Sequence, residues 1–351
     1  MAIIEPAAPT RARRHRVLLP GLAVTALLLG AMAGSLAVGS ARIPFAEVRD
    51  ILLSRIMPTG AAPYWKPGIE AIVWDLRLPR ILLAALVGAG LGMVGAAMQS
   101  ATRNPLADPY LLGVAAGAVL GANLAILHVG DILGPATTPL FAFAGALGAT
   151  LVVLSIARLT GSTTADRLIL SGVAVSFVVT ACANLLILFA DQRSAANVTF
   201  WTLGGFGAAD WSVLPAPAVA LAAGGAWFLA KRRDLNALAM GDETATTLGV
   251  RVARARLLHM TAGAFITGVM VSVSGMIGFV GLMTPHLVRM VVGGDNRLVL
   301  PASALVGALF LVLADIVSRT IIAPDDLPVG VVTGVVGGLF FVLMLRNRAG
   351  G

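Results

Sequence analysis

Ten long apolar runs, separated by short polar connections, occupy most of this 351-residue sequence. Their approximate limits are 18–40, 80–101, 110–128, 138–158, 168–190, 212–230, 257–275, 276–293, 299–320 and 328–345. Each is close to the ~20 residues that a helix needs to cross ~30 Å of hydrocarbon. The predicted fold class is therefore an all-α membrane protein with ten transmembrane helices, a single domain over 18–346. The seventh and eighth runs are almost continuous. Charged residues make up 12% of the chain, against about 25% in soluble domains, too few to coat a water-soluble surface. Forty glycines and 6% aromatics suit helices whose backbones approach closely in lipid.

The net charge is +8. In a soluble protein that would suggest a nucleic-acid partner. Here the basic residues sit mostly in short connections, where they set topology, so no nucleic acid is expected. With the N-terminus inside, 17 of the 25 Lys and Arg fall on the inner side, which predicts that both termini are cytoplasmic. The basic segment 1–17, containing RARRHR at Arg11–Arg16, precedes the first run. That run exceeds the ~7–15 residues of a signal core, so it reads as helix one. An outer loop, 41–78, carries Pro44, Pro58, Pro63 and Pro67 and a short helix at Phe45–Ser54; residues 347–351 form an inner tail. The lone Cys182 excludes an intrachain disulfide and a cysteine zinc site.

Small residues recur four apart at Gly30/Gly34, Gly88/Gly92, Gly113/Gly117/Gly121 and Gly334/Gly338, the spacing of helix contact faces. The runs are nearly free of ionisable residues. An ion-coupled transporter places such groups deep in its helices, so a carboxylate relay is not expected. Asp315 and Arg319, four apart in the ninth run, share a helix face and can pair. A P-loop requires Gly-Lys-Ser/Thr, and neither Lys66 nor Lys231 follows a glycine. The chain is therefore not an ATPase, and uphill transport would draw energy from another polypeptide. No His/Asp/Glu cluster at catalytic or ligand spacing is present, which predicts no enzyme, no resident cofactor and no metal site. A secondary transporter or channel is the alternative from another class.

The longest inner loop, 231–256, reads KRRDLNALAMGDETATTLGVRVARAR. Gly241 breaks the chain, Asp242 is a candidate N-cap, and a short helix to Leu248 would end at Gly249. Two short helices joined at a glycine make a projection that fits a cleft on a partner. An ordinary basic loop is the plainer reading of the pattern.

Several motifs, in order from Trp74 onward, carry a resemblance. They are RLPR (Arg77–Arg80), GAAMQSATRNPLADPYLLG (Gly95–Gly113), WTLGGFGAADW (Trp201–Trp211), ALAMGDETATTLGV (Ala237–Val250), GMIGFVGLMTPHLVR (Gly275–Arg289), DNRLVLP (Asp295–Pro301), LADIVSR (Leu313–Arg319) and DLPVGVVTG (Asp326–Gly334). The chain resembles the FecCD family, permease subunits of type II ABC importers for iron–siderophores, haem and cobalamin. The resemblance implies ten helices per subunit in a homodimer of the bacterial inner membrane. It also implies two ABC ATPase subunits inside and a periplasmic substrate-binding protein outside.

By the same resemblance Gly241, Asp242, Glu243, Thr244, Ala245, Leu248 and Gly249 belong to the ATPase-coupling element. Arg77, Arg80 and Arg319 match outward-facing arginines that receive acidic groups of the binding protein. Their plainer role is interfacial anchoring. Asn104, Pro105, Pro109, Pro285 and His286 fall at the inner mouth, although Asn104–Pro109 reads equally as a helix-breaking connection, and by topology Gly204–Gly207 faces the entrance. The expected substrate is a metal chelate, siderophore or haem, with cobalamin second. His259 reads as interfacial and His286 as structural or gating, so neither identifies the cargo.

Overall fold

A computed structural model describes residues 11–39, 41–57, 64–159 and 164–349. Pro58 and Pro63, the start of the basic segment 1–17 and the end of the tail 347–351 lie outside them. The described residues form helices joined by turns, with no strand among them. In chain order the helices are α1 Arg11–Ala37, α2 Phe45–Ile56, α3 Pro67–Ala71, α4 Leu78–Thr102, α5 Val114–Leu124, α6 Thr137–Leu159, α7 Ala165–Leu188 and α8 Gln192–Leu203. They continue as α9 Pro215–Ala230, α10 Arg232–Met240, α11 Asp242–Thr247, α12 Val252–Ser274, α13 Val280–Val292, α14 Asn296–Thr320 and α15 Val329–Ala349. Ten of these stretches are apolar; six are long enough to cross a membrane by length and composition, and four are shorter. Helices α2, α8, α10 and α11 lie in the connections, and α3 leads into α4 within one apolar stretch.

α4 is the central strut. From Val87 to Thr102 every residue is buried, and its glycines explain how. A Cβ on Gly88 would stand 2.2 Å from the Gly307 carbonyl oxygen of α14, and one on Gly92 2.3 Å from that of Ser303. On Gly95 it would meet Gly281 of α13 at 2.0 Å, and on Gly90 Met270 of α12 at 2.5 Å. Three helices thus reach the backbone of α4, each needing a missing side chain. The pair α5–α6 repeats the device, with Gly117 against Gly145 and Gly121 against the Phe141 carbonyl. Gly30, Gly34, Gly334 and Gly338, which have the same spacing, meet no atom within 4 Å. The spacing puts two small residues on one face but does not supply the opposing helix.

Two boundaries differ from the sequence expectation. The third run starts as turns at 110–113, because Gly113, at φ +75, sets the helix start at Val114. The seventh and eighth runs separate at Gly275, at φ +66, and the link ends at Phe279, at φ +68. α13 has 13 residues, about 20 Å of helix, short of the ~30 Å of hydrocarbon. The irregular backbone beside it has polar groups that, away from water, protein groups must satisfy. They do: the Gly205 N–H donates to the Ser274 carbonyl at 2.8 Å, and the Tyr110 hydroxyl donates to the Ile277 carbonyl at 2.9 Å and accepts from the Ile277 N–H at 3.1 Å.

Candidate functional site: two polar faces joined by α4

One face carries α10 and α11. α10 ends at Gly241, whose φ of +120 suits glycine. The same backbone makes Gly241, not Asp242, the residue before α11, so Asp242 does not cap the helix. Its carboxylate instead pairs with Arg256 of α12 at 2.6 Å. α11 closes on Gly249, at φ +82, with Val250 N–H donating to the Ala245 carbonyl and Gly249 N–H to that of Thr246, both at 2.9 Å. This six-to-one and five-to-two pair is a Schellman motif. Ala245 is buried, Glu243 is exposed and Thr244 is half-buried. Leu248 and Met240 hold large apolar side chains in the open, 62% and 64% exposed.

Arg256 also donates from Nε to the Ala101 carbonyl at 3.0 Å. Gly241 lies beside the Arg103 guanidinium, and Arg103 itself sits at φ +53 just past α4. The helix pair is thus moored to the end of α4. A sequence reading had no means to single out Arg256, because a basic residue in a basic loop looks alike whether buried or exposed.

The residues expected at the inner mouth fall in two places. Asn104 accepts from the Leu106 N–H through Oδ1 at 2.9 Å and from the Ala107 N–H through its carbonyl, so Asn104 and Pro105 sit in a tight turn. The Pro109 ring packs on Gly281, where a Cβ would come within 2.5 Å of it. Asp108 accepts from the Tyr110 N–H at 2.8 Å, and burial raises its carboxyl to about 6. Pro285 is buried within α13, while the His286 ring meets Phe340 of α15 edge-on at 6.3 Å. His259, expected at the interface, is instead buried, with its ring near Trp227 and Phe228.

The opposite face holds the three arginines, two of them on Asp315. Arg80 donates from Nε to Asp315 Oδ1 at 2.8 Å and pairs with Asp326 at 2.5 Å. Arg319 pairs with Asp315 Oδ2 at 3.0 Å and donates to the Ser35 hydroxyl and the Val38 carbonyl. Arg77 donates to the carbonyls of Leu36 and Ala41. Arg77 and Arg319, expected to face outward, are each only 6% exposed. They fasten the end of α1, whose last carbonyls lack helical partners. Arg80 is the arginine nearest the open, with Asp326 half exposed beside it.

Next to that pair is a cavity of about 470 Å³ lined by Phe200, Trp201, the Gly204–Ala208 turn, Ser274, Ser318 and Leu327. Three irregular segments meet at its floor. Gly330 N–H donates to the Gly204 carbonyl, and a Cβ on Gly275 would lie 2.1 Å from the Trp201 carbonyl. Asp326 escaped the sequence reading because its partner, Arg80, is 246 residues away. Among the described residues no group of three or more His, Cys, Asp or Glu could hold a metal ion.

The FecCD transport family model matches residues 11–347. The chain belongs to the FecCD transport family. Among similar curated proteins, this FecCD chain is 38% identical over 292 residues to the hemin transport system permease protein HmuU of Yersinia pestis, covering 81% of this chain and 87% of that one. It is 39% identical over 306 residues to the vitamin B12 import system permease protein BtuC of Salmonella paratyphi A, covering 85% and 93%. A solved structure described as an inward-facing conformation of a metal-chelate type ABC transporter superposes with a TM-score of 0.77 at 30% identity. The match covers 93% of this chain and 98% of that one. The fold is that of a type II ABC importer permease, and the chain is a multi-pass permease of that family.

Proposed function

We propose that this permease moves an iron chelate, a siderophore complex or haem, across the bacterial inner membrane. The observation that carries the reading is the cavity beside Arg80. Among the described residues its charged lining residues are Arg80 and Asp326, paired with each other. The remainder is glycine, proline, aromatic, aliphatic and small polar side chains. Such a wall holds a bulky, rigid cargo without a deep electrostatic trap, so the cargo leaves again. Cobalamin is the second reading, supported by the similarity to BtuC.

In this reading two ABC ATPase subunits bind the α10–α11 face from the cytoplasm, where both termini lie. Leu248 and Met240 supply apolar contacts there, and Gly241 to Gly249 form the coupling element. A periplasmic substrate-binding protein docks on the arginine face. Arg80 is the docking arginine, because it can exchange an internal carboxylate for a foreign one in a charge-assisted pair. Arg77 and Arg319 position the end of α1 beneath it. A second copy of the chain covers the exposed apolar faces of α7 and α15, where Gly334 and Gly338 stand open.

The test is ATP hydrolysis by the permease reconstituted with its ATPase and binding protein. Haemin, a ferric siderophore and cyanocobalamin are added separately. Stimulation by an iron chelate is expected. Stimulation by cyanocobalamin alone moves the assignment to the second reading, and uptake by this chain alone in liposomes removes the importer reading.

A further inference from the structure

A chain of side-chain hydrogen bonds leaves α10 and ends at the start of α13. Asn236, half-buried on α10, accepts through Oδ1 from the backbone N–H and the Nδ2 of Asn296, both at 2.8 Å. Its own Nδ2 donates to Asp295 at 2.9 Å, the residue that caps α14. Asn296 is fully buried, and its Oδ1 lies 3.1 Å from the Ser100 hydroxyl of α4. Ser100 accepts at 3.0 Å from Arg289 of α13. Arg289 also donates to the Gln99 side-chain oxygen and to the Ala96 carbonyl. Gln99 Nε2 donates onward to the carbonyls of Gly281 and Leu282, each at 3.2 Å. Those carbonyls lie two and three residues past Phe279, the residue in the left-handed region that closes the α12–α13 link.

Four helices are thereby joined by polar contacts in a region where apolar side chains would pack as well. A buried polar chain is high-stakes, because each broken link leaves an unsatisfied group. Ser100 is its weak point. A hydroxyl has one proton, and here two oxygens compete for it, the Ala96 carbonyl at 3.0 Å and Asn296 Oδ1 at 3.1 Å. The chain is therefore continuous in one setting of that proton and interrupted in the other.

We propose that Asn236, Asn296, Ser100, Gln99 and Arg289 are positioning residues that transmit displacement of α10 to the α12–α13 link. This rests on the reading above that the α10–α11 face meets the ATPase, and it adds a second route beside α11. The residues touch neither cargo nor nucleotide; they fix where α13 begins relative to α10.

The experiment uses the full permease–ATPase complex with Cys182→Ser and a reporter, Gly278→Cys. Position 278 is half-buried in the link, and a side chain there meets no atom within 4 Å. Maleimide labelling is timed without nucleotide and with ATP plus vanadate, and ATP hydrolysis and the thermal unfolding midpoint are measured alongside. In the parent, nucleotide changes the labelling rate. In Ser100→Ala and Asn236→Ala that change shrinks by about tenfold, the scale of a coupling lesion, while hydrolysis continues. The double variant is no worse than the more damaged single one, as expected for one shared chain.

Full nucleotide response in both variants overturns the proposal, as does a double variant whose losses multiply. A lowered unfolding midpoint with the response intact also overturns it, since that marks a merely structural role. Ser100→Ala removes one oxygen and keeps the test open where Asn236→Ala fails to assemble. A parent that recruits no ATPase overturns the importer reading itself, and the two failures are thereby told apart.

Discussion

α4 and α7 are about equally apolar, yet they sit in opposite environments. The most apolar window of the α3–α4 stretch is 83% buried, and that of α7 only 22%. On α7 Phe177, Leu188 and Leu170 are each at least 70% exposed. Hydropathy states that a helix avoids water. It does not state whether protein or lipid replaces the water, since lipid tails are as apolar as leucine. The difference lies in what each helix omits. α4 carries Gly88, Gly90, Gly92 and Gly95, each filled by a neighbour, and it joins the α10–α11 face to the arginine face. α7 has one such contact, Gly172 against the Leu111 carbonyl. Its remaining surface is available to lipid or to a second copy.

The sharpest way to break this comparison is at the arginine end of α4. Asp315→Asn removes the carboxylate that faces both Arg80 and Arg319, and Asp315 is 1% exposed. Breaking a buried pair by removing one partner costs about 3–5 kcal/mol. A large fall in the thermal unfolding midpoint of the purified chain is expected, and an unchanged midpoint would show that the arginines do not depend on it.

A smaller effect separates two glycines of the same motif. Gly88→Ala forces a methyl onto the Gly307 carbonyl and should cost about 1–3 kcal/mol by overpacking. Gly334→Ala meets nothing within 4 Å and should stay within about 0.5 kcal/mol for the monomer. Equal midpoints would erase the distinction between filled and open faces. A loss of dimer in Gly334→Ala, read by light scattering, would sharpen it.

The smallest effect concerns pH. Asp108 lies in the connection leaving α4, and burial raises its carboxyl from 3.8 to about 6, against the lowering effect of the Tyr110 N–H. A raised folded value means the protonated form is favoured by folding. That contribution is complete below pH 4 and lost as pH rises through 6. Asp108→Asn keeps an acceptor for Tyr110 without the charge. It should raise the unfolding midpoint at pH 8 and leave it unchanged at pH 4. An equal shift at both values would remove Asp108 as the cause.

The ten apolar stretches were legible because length and hydropathy speak for single segments. What failed was relational. Arg77 reads as outward by its motif and by topology, and its burial depends on Leu36 and Ala41 carbonyls that the folded chain brings to it. Asp242 reads as a cap by its place after a glycine, and Arg256 claims it instead. α8 was missed because twelve polar-rich residues capped by Asp191 carry no long apolar signal. Gly249 succeeded, since a left-handed helix stop is a local demand that glycine meets by itself.

The ring of Phe279 occupies the space that a side chain on Gly337 would need, with ring carbon Cγ 2.3 Å from where its Cβ would stand. Phe279 is also in the left-handed region, where a non-glycine residue is strained by about 1–2 kcal/mol. Neither position can therefore change alone. Any enlargement at 337 expels the ring, and any loss of the ring leaves a hole against α15. Over evolutionary time the two sites should drift as one character, so that a large residue at 279 is inherited together with glycine at 337.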